Sequence, residues 1–322
     1  MGGRAWAGRS SMVSTHHGKG SKEENVIEID HLSRTFDGVK ALAELSLEVK
    51  RGSIFGLLGR NGAGKTTTLK ILSTILRPTR GAARIDGFDV VEQALKVRSI
   101  IGVIGEGTET TRPLWTATEY LRFFLGLHGF DRQTADRKGA KWLDELGLGT
   151  HTNRPIGDFS GGMKKRLELS RVFSQAPRVL LLDEPTKELD MPGKREIWEI
   201  LRSLSKKEGL TVFLCSHDAA EITALCDSLA ILREGTCSFL GSIGSLPSNV
   251  FRIESDSYDA VIHILGRTLP VLSHSLAGKF LYAAFEDGMT EGELENSLRT
   301  DRILKADVRA VHDFDERVLA YL

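Results

Sequence analysis

Residues 59–67 read GRNGAGKTT, which fits G-x-x-x-x-G-K-[ST] at Gly59, Gly64, Lys65 and Thr66. This feature limits the fold most, because such a loop works only between a buried strand and the first turn of a helix. The flanks agree: the apolar run SIFGLLG leads in and a helical pattern leads out. Glycines let backbone N–H groups wrap phosphates, a lysine reaches the β and γ oxygens, and a hydroxyl coordinates Mg²⁺. The stretch Gly59, Arg60, Asn61, Gly62, Ala63, Gly64, Lys65, Thr66 and Thr67 is therefore expected to bind a nucleoside triphosphate, with Thr66 on the metal.

Such a loop needs an acidic partner for the metal. The run RVLLLDEP supplies one at the end of a buried strand, with Asp183 for the metal shell and Glu184 placed to polarise an attacking water. An acidic pair there is by itself only a strand-to-loop cap; the phosphate loop upstream gives it the metal reading. The next buried run, TVFLCSH, brings His217 to the same sheet edge, within reach of a γ-phosphate. Short apolar runs followed by helical patterns read as parallel strands covered on both faces. Before them, VIEIDHLSRTF and ALAELSLEV alternate as a half-exposed antiparallel layer, and SLAILREGTCSFLG reads as a hairpin.

A second glycine pair, in FSGGMKKRLELS, opens a helix within a mainly helical stretch, roughly residues 115–175. Ser160 is a candidate cap, and Gly161 and Gly162 allow close backbone approach to an anion. If the first loop holds the phosphates of one ATP, the second, on a different lobe, can close over the γ-phosphate of another. That site is complete only when two copies meet head to tail.

Taken in order, GRNGAGKTT, FSGGMKKR, LLLDEPT, ELD and SH resemble the nucleotide-binding cassette of ATP-binding cassette (ABC) proteins, over about residues 26–244. The resemblance implies an α/β fold: a mostly parallel core sheet, an antiparallel β layer and a helical subdomain. It implies ATP and Mg²⁺ as ligands, Glu184 and His217 as catalytic residues, and Ser160, Gly161, Gly162 and Met163 as the signature that meets the partner subunit's ATP. It further implies that Phe36 stacks on adenine, where on its own Phe36 reads as a core aromatic, and that Asp190 lies in the loop linking the two sites. FSGGM, LDEPT and the ending ERVLAYL resemble the exporter branch that handles drugs, polysaccharides or lipids. Implied partners are transmembrane permease subunits and a second nucleotide-binding subunit, identical or related, on the cytoplasmic face of a membrane.

The chain departs from the family pattern in three places. IGVIGEGTETTRPLW lacks the glutamine that touches Mg²⁺ and the membrane partner; Glu106 is the nearest counterpart, either a metal ligand or part of a loop facing solvent or partner. Met163 replaces a glutamine, and Lys187 and Glu188 stand where small residues are common. Leu114, Trp115, Phe123 and Phe124 either form a socket for a permease helix or pack the helical lobe. Lys164, Lys165, Arg166 and Arg171 read as a solvated helix face, not a nucleic-acid patch.

Residues 1–24 are rich in Gly and Ser without a secretory apolar core, and read as a disordered tail, with Met12 as an alternative start. Residues 25–244 form the cassette. Residues 245–322 change character to strand, helix, strand, strand, helix, strand, a small α+β domain in ferredoxin-like order, with FDERVLAYL left to dock on the main domain or on a second copy. Forty-three basic and 43 acidic residues cancel, so no electrostatic footprint for nucleic acid exists. No apolar run reaches membrane-spanning length. Cys215, Cys226 and Cys237 lack metal-ligand spacing and read as reduced thiols. The competing function is a soluble ABC ATPase acting on ribosome or nucleic-acid complexes.

Overall fold

In a computed structural model the described residues are 25–105, 112–269, 271–285, 288–300 and 306–322. The alternating N-terminal runs form β1 (Asn25–Phe36) and β2 (Val39–Lys50), an antiparallel pair with one apolar face buried. The strand β3 (Ile54–Gly59), buried at every residue, feeds α1 (Lys65–Leu72). Next come β4 (Arg80–Ile85) and β5 (Phe88–Asp89), which extend the first layer to the order β2-β1-β4-β5. The sequence reading missed both, since RGAARI is rich in Gly and Ala and carries little strand propensity of its own.

After α2 (Ala94–Ile100), the short β6 (Ile101–Ile104) enters the core sheet. The helical lobe then forms from α3 (Ala117–Leu127), α4 (Arg132–Glu145) and α5 (Gly161–Ser174) around Tyr120, Leu121, Leu143 and Leu167. Thr116 and Glu119 cap α3 reciprocally, and Asp131 caps α4, so these helix starts are set locally.

The chain returns to the core through β7 (Val179–Asp183), α6 (Met191–Glu208), β8 (Thr211–Ser216) and α7 (Ala219–Leu225). The hairpin β9 (Ser228–Arg233) and β10 (Thr236–Ser242) completes a six-stranded sheet of order β10-β9-β3-β8-β7-β6. Pairings from β9 to β6 are parallel, and β10 is an antiparallel edge. The strands β3, β7 and β8 therefore end together, with the residues that follow them on one edge.

Residues from Val250 onward form β11 (Val250–Ser255), α8 (Tyr258–Thr268), β12 (Val271–Ala277), β13 (Phe280–Phe285), α9 (Glu291–Thr300) and β14 (Ala306–Val311). The sheet order β12-β13-β11-β14, antiparallel throughout, is the ferredoxin-like arrangement. One core of this unit lies between sheet and helices, around Phe251, Ile253, Leu265 and Leu294. Val250, Tyr282, Ala284 and Val311 instead share a core with Trp198 and Leu225 of the cassette. The last short helix, α10 (Phe314–Val318), docks on that shared core, which settles the ending of the chain onto its own main domain. Among the described residues no helix is long and apolar enough to cross a membrane. All three cysteines are free, and burial raises their thiol pKa values, that of Cys237 to about 11.

The basic residues of α5 are not simply a solvated face: Lys165 meets Glu168 at 3.5 Å, Arg166 meets Glu196 at 2.8 Å, and Arg171 donates to Val103 O. Acidic partners from α5 itself and from α6 take up the charge of Lys165 and Arg166, while Lys164 stays exposed as expected.

Candidate functional site

The phosphate loop forms where β3 passes into α1. Gly64 has φ +107° there, and a Cβ would lie 2.6 Å from Ala41 O of β2, so only glycine fits between the layer and the loop. Lys65 is buried, and its ammonium donates to Gly59 O at 2.6 Å and Arg60 O at 3.2 Å, which holds it across the loop. Thr66 Oγ1 donates to Asp183 Oδ2 at 2.7 Å, joining the first turn of α1 to the end of β7.

Glu184 leaves β7 with φ +49°, a left-handed conformation that costs a non-glycine residue about 1 kcal/mol. Its N–H donates to Cys215 O at 3.0 Å, anchoring it to β8. Its Oε1 lies 2.6 Å from His217 Nδ1 and accepts the His217 N–H at 3.1 Å. Parallel pairing of β7 with β8 thus brings the two residues from separate strand ends into one contact.

These side chains open onto a cavity of about 860 Å³. Asn61, Gly62, Gly64, Lys65, Thr66, Thr67, Asp183, Glu184 and His217 line it together with Gly161. Gly59, Arg60, Ala63, Ser160, Gly162, Met163, Phe36 and Asp190 are not among its lining residues. Lys164, Lys165, Glu168, Lys187 and Glu188 also line it and were not among the expected site residues. The bulk of Lys187 and Glu188 was the one sequence signal for that group.

The remaining predicted residues sit nearby in defined roles. Ser160 caps α5, its Oγ accepting the Met163 N–H at 3.2 Å, and Met163 packs against the lobe core. Glu188 presses on the same helix start: a Cβ on Gly161 would meet Glu188 Oε2 at 2.7 Å. Asp190 caps α6 by accepting the Gly193 N–H at 3.1 Å. Phe36 is 40% exposed at the end of β1, with the Arg34 guanidinium 4.5 Å from its ring centre, so it is not a core aromatic. Glu106 lies outside the described residues; the preceding Gly105 lines the cavity. Trp115 and Phe124 pack on the lobe core, whereas Leu114 is 88% and Phe123 38% exposed.

Comparison with known proteins follows the same outline. Residues 42–187 match the family model described as ABC transporter. The chain is 34% identical over 225 residues to the ABC transporter ATP-binding protein NatA of Bacillus subtilis (strain 168), covering 69% of this chain and 91% of that one. The chain belongs to the ABC transporter family. It is an ABC ATP-binding subunit, of a family that hydrolyses ATP. The daunorubicin/doxorubicin resistance ATP-binding protein DrrA of Streptomyces peucetius is 37% identical over 231 residues, 70% of this chain and 69% of that relative. A solved structure of the ATP-binding subunit of an ABC transporter aligns with TM-score 0.63 at 28% identity, covering 69% of this chain and 91% of that one. These ABC relatives give no support to a ribosome- or nucleic-acid-directed function.

Proposed function

We propose that the chain binds Mg²⁺-ATP in the 860 Å³ cavity, pairs head to tail with a second cassette, and drives export through separate membrane-spanning permease subunits. The observation that carries this reading is the convergence of Lys65, the Thr66–Asp183 pair and the Glu184–His217 pair on one cavity. Lys65 binds the β and γ oxygens. Glu184 orients water for attack on the γ-phosphorus, and the bond to the β-phosphate oxygen breaks to leave ADP. His217 holds Glu184 and faces the γ-phosphate.

A hydroxyl and a carboxylate oxygen 2.7 Å apart fit Mg²⁺, which takes hard oxygen donors and relies on substrate phosphates for the rest of its shell. Thr66 and Asp183 would hold it, and Glu106 is a further candidate. The ion supplies neutralisation of charge on the phosphates. Phe36, exposed at the edge of the β layer, is assigned to adenine.

Ser160, Gly161, Gly162 and Met163 of one copy meet the ATP held by Lys65 of the other, with Asp190 between the sites. Swinging such a pair from mostly open to mostly closed requires nucleotides to favour the closed state by about 5.5 kcal/mol. The exposed Leu114 and Phe123 are assigned to permease contact, and the chain to the cytoplasmic face of the membrane as a peripheral subunit. The name of the DrrA relative supports a drug-like cargo. Residues 25–244 are assigned as the catalytic unit and 245–322 as an accessory domain that stabilises the dimer or protects the nucleotide state; deleting 245–322 is expected to weaken ATP-driven dimerisation, and no change counts against it.

Glu184→Gln tests the core of this reading. It is expected to bind ATP, stop turning it over, and accumulate as an ATP-bound dimer on size exclusion. Pulled down with ATP from gently solubilised native membranes, it should retain a multi-spanning membrane protein. Normal hydrolysis by this variant would remove the role given to Glu184, and recovery of soluble partners alone would remove the transport role.

A further inference from the structure

We propose that Glu221 is a positioning residue for hydrolysis: its buried carboxylate ties the loop after Glu184 to the strand end carrying His217, and so sets the relation between those two side chains. The inference rests on Glu184 and His217 being the hydrolytic pair.

Glu221 lies on α7, is 2% exposed and does not line the nucleotide cavity. Its Oε1 accepts from Thr186 Oγ1 at 2.6 Å and from Trp198 Nε1 at 3.3 Å, and its Oε2 accepts from Ser216 Oγ at 2.7 Å. Thr186 stands two residues after Glu184, and Ser216 immediately precedes His217. Both donors are themselves buried. One carboxylate therefore grips both catalytic segments from behind, where neither can shift without breaking a hydrogen bond out of reach of water.

An acidic side chain is costly at such a place. Burial raises its pKa, against the three hydrogen bonds that lower it. An apolar side chain would fill the space at less cost and leave both hydroxyls without an acceptor, so the benefit of the carboxylate is the geometry it imposes. The same network reaches α6 through Trp198, and Lys194 of α6 pairs with Asp218 at 2.9 Å beside it. Since Asp190 caps the start of α6, the inter-site loop is joined to the catalytic pair by one helix and this carboxylate.

The test uses the full chain and measures ATP turnover, affinity for a fluorescent ATP analogue and thermal unfolding for Glu221→Ala and Glu221→Gln, alone and with His217→Ala. Misplacement by a fraction of an ångström is expected to lower kcat in Glu221→Ala by about 10–100-fold while ATP-analogue Kd stays within about threefold. Glu221→Gln, which keeps shape and an acceptor, should restore kcat to within about threefold of wild type. In the His217→Ala background the further loss should be under about threefold, because the side-chain contact between Glu184 and His217, the relation being held, is already gone. Equal losses in both backgrounds, or parallel loss of affinity and turnover without rescue by glutamine, would overturn the proposal.

Should Glu221→Ala not fold, Thr186→Val and Ser216→Ala each remove one donor. Each is expected to lower kcat by about 3–10-fold with unchanged affinity, and wild-type kcat in both refutes the role. An inactive Glu184→Gln alongside a fully active Glu221→Ala defeats this inference alone, whereas an active Glu184→Gln defeats the reading beneath it.

Discussion

Glu184 Oε1 accepts the backbone N–H of His217 at 3.1 Å while lying 2.6 Å from the Nδ1 of the same residue. The carboxylate is thus anchored twice to one neighbour, once by main chain and once by side chain. His217→Ala deletes only the second anchor, so Glu184 remains near its place. Steady-state assays are expected to show kcat lowered by about 10–100-fold with ATP affinity little changed, a milder loss than that of Glu184→Gln. Wild-type turnover in His217→Ala would show that the ring contact is idle.

Glu188 is an acidic side chain against the signature helix. Its carboxylate abuts Gly161, and both residues line the cavity into which phosphates must come. Like charges repel there, and salt screens the repulsion. Glu188→Ser in a Glu184→Gln background is expected to tighten ATP-driven dimerisation by about 3–10-fold at low ionic strength, with the gain shrinking at high salt. Sedimentation at two salt concentrations decides it: a gain independent of salt would assign the effect to bulk and not to charge.

Much of this arrangement was legible in the chain. The runs ending in the phosphate loop, in Asp183–Glu184 and in Ser216–His217 are short, apolar and buried, and the parallel sheet aligns their ends. The ferredoxin-like order of the C-terminal unit also followed from its pattern. What escaped depends on partners distant in sequence. The four-residue β6 gains its strand character from pairing Ile101–Ile104 with Val179–Leu182, not from its own length. Nothing in the run HDAAEIT marks Glu221 as buried, since its three donors come from three other elements. Phe36 reads as a core aromatic on its own, yet it stands at the β1–β2 hairpin end, paired with the exposed Val39, which leaves it half exposed.

Asp86 ties the antiparallel layer to the core. It occupies the turn between β4 and β5 with φ +52° and pairs with Arg51 before β3 and with Arg178 before β7, the latter at 2.9 Å. The hydrogen bond from Arg51 leads the causes that hold its pKa below the ordinary aspartate value, against an opposing effect of burial. A carboxylate with a depressed folded pKa stabilises fully above its unfolded pKa, about 3.9, and loses that contribution as pH falls through the lower folded value. Asp86→Asn, which tolerates the left-handed turn, should cost about 1 kcal/mol at pH 7 in urea unfolding. The difference from wild type should shrink as pH drops below about 4. A constant difference across that range would mean that shape, not charge, accounts for it.

The last four residues clasp the two units together. Tyr321 is buried, its ring stands 5.6 Å from that of Phe239 on β10, and its carbonyl accepts from Ser238 Oγ at 2.8 Å. From the other side Ser273 on β12 donates to Ala320 O at 2.8 Å, and Ser275 donates to Leu319 O. Removing the ring should open a cavity across the shared core, so Tyr321→Ala is expected to lose about 3 kcal/mol of stability. Tyr321→Phe keeps the ring and should cost under about 1.5 kcal/mol. Burial also raises the phenol pKa to about 12. A group whose folded pKa is raised stabilises fully below its unfolded value, about 10, and loses that contribution as pH rises through the folded one. Wild type should therefore weaken between about pH 10 and 12 more steeply than Tyr321→Phe in parallel denaturation curves. Identical alkaline limbs would show that the hydroxyl is in contact with water, and that the tail lies on the cassette without sealing it.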